Sequence, residues 1–250
     1  MPLEPVSLAL LAIAAFLAGV LNALAGGGSF LTLPALVFTG VPPVAANATG
    51  TAALLPGYLA SAWACRDLIR APAGLTLVGV VLLGAVGGAL GALLLLATSD
   101  AAFGTIVPWL LLAATLLFAL GPRLNRALAH HRGRPGGWGR VAVLGVCGYG
   151  GYFNGGMGIV MLAAFRLLGV EDLNAANGLK NLLSAVLTVI AVVIYALGGA
   201  VSWAQFPPMA LAAILGGVAG ARLGRWLPPK VLHHGIVLVG AVTTGIFFLK

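Results

Sequence analysis

The sequence predicts an all-α, polytopic membrane protein of two inverted repeats, each with a glycine-broken helical hairpin and three transmembrane helices. Of the 250 residues, 61% are hydrophobic and 7% are charged, whereas soluble domains carry about 25% charged residues. The mean hydropathy is +1.10, and the apolar runs are long enough to span a bilayer. The chain also repeats its own pattern after about 129 residues. These three observations together predict the fold class.

Both copies of the repeat interrupt an apolar stretch with glycines. The first reads AGGGSFL over residues 25–31, and the second reads FNGGMGI over residues 153–159. The copies stay aligned downstream, where three pairs of glycines correspond: Gly87 with Gly216, Gly88 with Gly217, and Gly91 with Gly220. Paired, glycine-interrupted hydrophobic segments are typical of secondary transporters whose site lies where the broken helices meet.

Each copy contains five apolar pieces. In the first copy these are residues 8–24, 30–38, 44–64, 74–97 and 101–120. In the second copy they are residues 141–153, 159–168, 173–197, 208–227 and 231–249. At 1.5 Å per residue the second piece of each copy spans about 15 Å, half of a hydrocarbon core of about 30 Å. It is predicted to be a half-helix paired with the first piece, and the other three pieces are predicted to cross the membrane.

Positive charges decide whether each glycine break continues across the membrane or turns back as a hairpin. With hairpins, the basic residues of the loops fall on one side: Arg66, Arg70, Arg166, Arg222, Arg225, Lys230, Arg123, Arg126, Arg132, Arg134 and Arg140. Only Glu4, Asp100 and Lys250 remain as charges on the other side. A continuous crossing would instead place the charges of residues 222–230 opposite the rest. We therefore predict inverted repeats with both termini outside.

These boundaries divide the chain into three parts. Residues 1–121 are predicted to form the first transmembrane repeat, residues 122–140 a basic cytoplasmic linker, and residues 141–250 the second repeat. Residues 8–24 are expected to be a structural helix rather than a signal peptide, because no Lys or Arg precedes them and the equivalent segment of the second copy is internal.

Glycine suits the two breaks for a physical reason. Inside lipid, every backbone N–H and C=O needs a partner, so non-helical backbone must be buried in protein or line a wet cavity. Glycine permits positive φ and close backbone approach. The alternative is that residues 26–28 only ease helix packing, the role that we expect for Gly84, Gly88 and Gly91 at small-xxx-small spacing.

Composition and spacing argue against several other classes. The net charge of +8 lies in short connectors, as membrane orientation requires, and leaves no basic and aromatic face for nucleic acid. Cys65 and Cys147 have no metal-ligand spacing, and the paired histidines at 130–131 and 233–234 point about 100° apart on a helix. We therefore expect no metal, no cofactor and no catalytic residue, and the chain is predicted not to be an enzyme.

The residues around the first break resemble a known family. Residues 18–36, AGVLNALAGGGSFLTLPAL, followed by GVPP at 40–43 and AANAT at 45–49, look like the TauE/SafE sulfite exporter family, and the duplication matches the two halves of that family. The resemblance implies a permease for sulfite, organosulfonates or related sulfur-containing anions. The chain departs from the family pattern at Asn154, equivalent to Gly26, and at Lys180, which stands where the first copy has a glycine.

Lys180 is the strongest candidate for substrate binding. Counted from the helix start near Asp172, it lies about 12 Å along the helix, close to the membrane midplane. An ammonium there costs at least about 2.5 kcal/mol, so such residues usually face a cavity and have a partner. The apolar runs supply no carboxylate at that depth, and an anionic substrate is the expected partner. The alternative is that Lys180 snorkels to the interface or bonds to carbonyls.

Other candidates flank the breaks. Asn47 and Asn177 occupy equivalent positions, and Thr51 and Asn181 lie one turn further along the same helix faces. Their amides and hydroxyl can donate to sulfonate oxygens, although interhelical hydrogen bonding is an equally good explanation. The remaining candidates begin the half-helices, whose positive ends could face an anion: Gly27, Gly28 and Ser29 in the first copy, and Gly155 and Gly156 in the second.

The sequence therefore predicts a secondary transporter of small sulfur-containing anions, such as sulfite or sulfoacetate, with a central site between the repeats. A membrane subunit of a larger permease and a channel-like passive carrier remain alternatives. The expected partners are the anion and the lipid bilayer, without nucleic acid, and association into a homo-oligomer is left open. The expected location is the inner (plasma) membrane, with multiple passes.

Overall fold

A computed structural model describes residues 4–25, 27–72, 74–128, 137–223 and 229–249. Ten α-helices follow one another in this part of the chain: α1 (Pro5–Ala25), α2 (Ser29–Phe38), α3 (Pro43–Ala64), α4 (Leu77–Ala97), α5 (Asp100–Leu128), α6 (Gly137–Tyr152), α7 (Met157–Leu167), α8 (Leu173–Leu197), α9 (Phe206–Leu223) and α10 (Pro229–Phe248). A single 3-10 turn, Arg66–Leu68, follows α3. The all-helical prediction is confirmed, with five helices in each half.

The helix bounds follow the predicted pieces closely. The half-helices α2 and α7 have 10 and 11 residues, as their short apolar runs require. The main difference is that α5 continues to Leu128 and α6 already begins at Gly137, so both ends of the predicted linker are helical. Four of the residues counted in the charge argument lie outside the described part of the chain: Arg132, Arg134, Arg225 and Lys250.

The outer surface of the helices is apolar. Four described helical segments are long and apolar enough to cross a membrane: 5–23, 77–97, 100–121 and 174–197. On α4 one face exposes Leu82, Val86, Leu90 and Leu93, each more than half accessible. Contiguous exposed apolar surface of this kind is typical of contact with lipid, and the chain is a multi-pass membrane protein.

The half-helices lie at the centre of the molecule. In α2 the side chains of Phe30 and Leu36 are fully buried, and in α7 those of Met161 and Phe165 are. Helix α3 is less apolar than its neighbours because it carries asparagine and threonine residues, and its middle section, residues 46–54, is buried throughout. The interior therefore collects the polar side chains that the lipid-facing helices lack.

The chain folds back on itself at both glycine breaks. A Cβ built on Gly28, just before α2, would lie 2.9 Å from the carbonyl oxygen of Ala18 in α1. In the second half, a Cβ on Gly150 in α6 would touch the sulfur of Met157, the first residue of α7. Contacts between residues so close in sequence on both sides of a break require a sharp turn, so each half-helix forms a hairpin with the helix before it.

The two halves pack through equivalent helices. Helix α1 packs along α9 and, in the matching arrangement, α6 packs along α4. Between α5 and α10, the hydroxyls of Thr115 and Thr244 lie 3.5 Å apart, and Trp109 stacks edge-on against Phe248. An earlier residue of α5 thus meets a later residue of α10, so these equivalent helices run antiparallel. The inverted relation of the repeats in the membrane stays a prediction, which this arrangement supports.

Five arginines of the described residues lie toward one end of the helical bundle. Gly178 near the start of α8 packs against Leu68 in the loop after α3. One cavity joins the second half of α3 to residues 213–218 of α9, and another joins the starts of α4 and α6. These contacts gather five arginines at that end: Arg66, Arg70, Arg140, Arg166 and Arg222. At the opposite end the carboxylate of Asp100 accepts a hydrogen bond of 2.9 Å from a backbone amide in the first turn of α3.

Two neighbouring glycines in α9 provide a test of this packing. A Cβ on Gly216 would collide with the carbonyl oxygen of Phe16 in α1, whereas a Cβ on Gly217 would meet nothing within 4 Å. We expect Gly216→Ala to lower the free energy of unfolding by about 1–3 kcal/mol, the usual cost of overpacking. Gly217→Ala is expected to leave the free energy of unfolding unchanged or to raise it slightly. Equal denaturation midpoints for the two variants in detergent would contradict the α1–α9 contact.

Candidate functional site

A small cavity lies between the two halves, beside the second glycine break. Its volume is about 10 Å³, at the lower limit for one water molecule. The first half lines it from α1 and α3, and the second half lines it from α7 and α8. The lining residues are Asn22, Tyr58, Ser61, Met157, Gly158, Lys180, Asn181 and Ser184. We call this space the anion cavity, since its wall carries one cation and no carboxylate.

The N-terminal end of α7 faces the anion cavity through Met157 and Gly158. Gly156 directly precedes this helix with φ +69°, a left-handed conformation that L side chains rarely adopt. A Cβ at this position would also lie 2.8 Å from the Cβ of Ala114. The positive φ that glycine permits therefore occurs at this break. It turns the first amides of α7, the positive end of the helix dipole, toward the cavity.

The opposite, negative side of the break is covered by side chains. Four donors satisfy oxygens at the break between α6 and α7: Tyr195 Oη donates to Gly151 O, Asn47 Nδ2 to Tyr152 O (3.0 Å), Tyr58 Oη to Asn154 Oδ1 (3.1 Å), and Tyr149 Oη to Gly155 O (2.6 Å). Carbonyl groups at a helix end carry partial negative charge and need partners inside a membrane. Because these oxygens are occupied, the break presents mainly its positive side to the cavity.

Lys180 supplies the only full charge on the wall of the anion cavity. It lies in the third turn of α8 and is partly accessible. Its ammonium has no hydrogen bond or ion pair with any described residue. One residue later, Asn181 Nδ2 donates to the sulfur of Cys65 at 3.2 Å, and Ser184 Oγ lies 3.8 Å from the sulfur of Met161. These weak partners leave the polar groups of this face able to bind a ligand.

The structure brings together only some of the predicted site residues. Lys180 and Asn181 both line the anion cavity. Asn47 is buried and bonds to the end of α6 instead, which matches the alternative role of interhelical hydrogen bonding. Thr51 is buried in α3 and Asn177 is partly accessible on α8, and neither side chain lines this cavity. Their part in substrate binding stays a prediction.

The first glycine break is packed differently. Gly27, Gly28 and Ser29 are buried, while Gly26 lies outside the described residues. Gly28 has φ −58°, so glycine is not needed here for its backbone conformation. Its lack of a Cβ instead allows close packing, because a Cβ at this position would lie 2.9 Å from both the Ala18 carbonyl oxygen and the side chain of Leu54. The Ser29 hydroxyl is buried without a partner among the described residues. Leu54 occupies the place that corresponds to Ser184 in the second half, so this break is closed by an apolar side chain.

Six lining residues were not among the predicted candidates, and four of the six have polar side chains. Asn22, Tyr58, Ser61 and Ser184 all line the anion cavity, and three of them come from the first half. The sequence does carry a signal for them, since each is a polar side chain inside an apolar run, where such residues often mark a substrate path. It could not assign them to the second break, because that requires the packing of α1 and α3 against α7.

A pair of tyrosines in α6 tests the role of the side-chain donors. Tyr149 donates to Gly155 O, whereas Tyr152, which packs on Phe103, makes no hydroxyl hydrogen bond to a described residue. Tyr149→Phe leaves a buried carbonyl without a partner and is expected to lower the free energy of unfolding by about 1–3 kcal/mol. Tyr152→Phe is expected to change it by less than about 0.5 kcal/mol. Denaturation of both variants in detergent measures the difference.

Comparison with known proteins identifies relatives over nearly the whole chain. The family model described as "Sulfite exporter TauE/SafE" matches residues 11–247. A "Probable membrane transporter protein" of Haemophilus influenzae is 32% identical over 239 residues, which cover 95% of this chain and 92% of the relative. "Probable membrane transporter protein YfcA" of Escherichia coli is 30% identical over 244 residues, covering 96% and 88%. No solved structure matches the chain significantly.

Proposed function

The chain belongs to the TauE/SafE sulfite exporter family of membrane transporters, and from this premise we propose that it is a secondary transporter of small sulfur-containing anions. Sulfite and organosulfonates such as sulfoacetate are the proposed substrates. The proposed binding site is the anion cavity between the two halves. The single observation that carries this proposal is the unpaired ammonium of Lys180 in the same cavity as the N-terminal end of α7.

Charge balance supports an anionic substrate. A charge inside the membrane costs at least about 2.5 kcal/mol unless it is compensated, and the cavity wall holds no carboxylate that could compensate Lys180. A sulfite or sulfonate oxygen can accept hydrogen bonds from the ammonium, from Asn181 and from the first amides of α7 at the same time. Three oxygen atoms on one sulfur suit three donors that converge from two helices.

The size of the anion cavity supports a transport cycle with a moving site. At about 10 Å³ it admits about one water molecule, so an anion of several heavy atoms requires the walls to separate. The walls belong to different halves, with α1 and α3 on one side and α7 and α8 on the other. Rocking of one half against the other would open the cavity to each side of the membrane in turn.

The proposed location is the inner (plasma) membrane. The arginine-rich end of the helical bundle is proposed to face the cytoplasm, in keeping with the positive-inside rule. In this orientation the anion cavity lies at the depth where the half-helices begin, and the end that carries Asp100 faces outward.

Flux through liposomes that contain only the purified protein tests this function. We expect uptake of radiolabelled sulfite that sulfoacetate inhibits and that empty liposomes lack. Flux that saturates with sulfite concentration identifies a carrier, and flux that rises without saturation identifies the channel-like alternative. Absence of flux, restored only by a further subunit, would instead identify a component of a larger permease. Binding without any flux of sulfite or sulfonates under either condition would contradict a transport function.

A further inference from the structure

We propose that the preferred substrate is an organosulfonate that binds in two parts, with its sulfonate in the anion cavity and its organic chain in a neighbouring chamber. The chamber lies between α1, α3 and α9 and has a volume of about 290 Å³, far larger than the anion cavity. This inference rests on the proposed function, because it assigns a second part to the same site.

The chamber and the anion cavity are adjacent. Asn22 of α1 and Ser61 of α3 line both spaces, so the two spaces meet at these side chains. The Asn22 Oδ1 atom is buried and has no hydrogen-bond partner among the described residues. The junction is thus polar and leads directly to the ammonium of Lys180 and the N-terminal end of α7.

Small and apolar residues form the chamber wall. They include Gly57 and Ala60 on α3, Ala23 on α1, and Gly217 and Ile214 on α9. Because a Cβ on Gly217 would meet nothing within 4 Å, the space beside it is open. An apolar wall favours the burial of methylene groups.

The positions of charge and apolar surface select the class of substrate. Sulfite has no apolar atoms and would occupy only the anion cavity, leaving the chamber without a role. An alkanesulfonate places its charged group beside Lys180 and its chain past Asn22 into the chamber. Each buried methylene group increases affinity by about fourfold.

A chain-length series measured by titration calorimetry tests the inference. Purified protein in lipid nanodiscs is titrated with sulfite and with methane-, ethane- and propanesulfonate. We expect about fourfold tighter binding with each added methylene, hence about 15-fold from methane- to propanesulfonate. The wild-type series alone is decisive, because it does not depend on how any variant folds.

A variant that fills the chamber provides a second test of the inference. Gly217→Leu places a bulky side chain where the structure is open, and it is expected to remove the gain with chain length while leaving sulfite affinity within twofold. The matched control is Gly245→Leu in α10, another helical glycine without neighbours around its Cβ, which does not line the chamber and is expected to leave the whole series unchanged.

The outcomes separate this inference from the function on which it rests. A flat chain-length series together with measurable sulfite binding overturns the two-part site and leaves the proposed function standing. An equal loss of sulfite and propanesulfonate affinity in Gly217→Leu, with Gly245→Leu intact, also overturns it, because the chamber would then not act separately from the anion cavity. Failure of sulfite and every sulfonate to bind overturns both proposals.

Discussion

Lys180→Met is expected to weaken sulfite binding by more than tenfold while the protein remains folded and inserted. Methionine has a similar length and fills the same space, so the change removes the charge without opening a hole. A tenfold loss of affinity corresponds to about 1.4 kcal/mol. This is well below the attraction of roughly 4 kcal/mol between two opposite charges 4 Å apart at an effective dielectric constant of 20. Titration calorimetry or ligand-induced thermal stabilisation measures the change.

The stability of this variant separates a binding role from a structural one. Since the ammonium has no partner among the described residues and its burial is costly, Lys180→Met is expected to unfold at the same or a higher temperature. Arg222→Met, which removes an exposed charge at the end of α9, is the matched control and should bind sulfite normally. Sulfite affinity within twofold of wild type in Lys180→Met would remove this residue from the site.

Gly156→Ala is expected to damage both the fold and the site. A non-glycine residue in the left-handed conformation costs about 1–2 kcal/mol, and the new Cβ would lie 2.8 Å from that of Ala114, adding an overpacking cost of about 1–3 kcal/mol. We expect the free energy of unfolding to fall by about 2–5 kcal/mol. Because relief of the contact must shift the start of α7, we also expect sulfite affinity to fall by at least tenfold.

The control for Gly156→Ala is a glycine in α6, the helix that precedes the break. Gly145 in α6 is exposed, and a Cβ there would meet nothing within 4 Å. Gly145→Ala is expected to raise the free energy of unfolding by about 0.5–1 kcal/mol, because alanine is the better helix former. Denaturation in detergent measures the midpoints of both variants. Midpoints that shift in the same direction for Gly156→Ala and Gly145→Ala would show that the left-handed conformation at the break is not needed for stability.

The helices were predictable because their signals are local. Apolar runs gave the positions of all ten helices, and the glycine clusters gave the two breaks and the half-helices α2 and α7. Charge distribution predicted that the breaks turn back, which the contact between Gly28 and Ala18 confirms. The end of α5 was missed, because residues 121–128 lie beyond the apolar run and hydropathy alone set the predicted end of the helix.

The composition of the site was only partly predictable. Lys180 stands out in any hydropathy analysis because a charge inside an apolar helix is rare. The contribution of Tyr58 and Asn22 depends on packing between helices more than a hundred residues apart, which one sequence does not encode in a local pattern. Asn47 has a polar side chain of the kind expected in a binding site, yet its amide donates to a backbone oxygen at the end of α6.

The two breaks also look equivalent in sequence but differ in structure. One difference is that Leu54 packs against Gly28, where the second half has Ser184 on the cavity wall. Another is that Gly28 has φ −58° whereas Gly156 has φ +69°. The duplicated motif predicted one central site with candidate residues from both breaks, whereas the anion cavity lies beside the second break. That the anion cavity combines polar residues of both halves could be seen only in three dimensions.

The central claim is that an anion binds between the start of α7 and the ammonium of Lys180. Anomalous diffraction from crystals soaked with selenite, which matches sulfite in charge and shape, locates that anion directly. We predict a selenium peak inside the anion cavity, with selenite oxygens within about 4 Å of Lys180 Nζ, that disappears in Lys180→Met crystals. A peak elsewhere in the molecule, or one that persists in the variant, would contradict the claim.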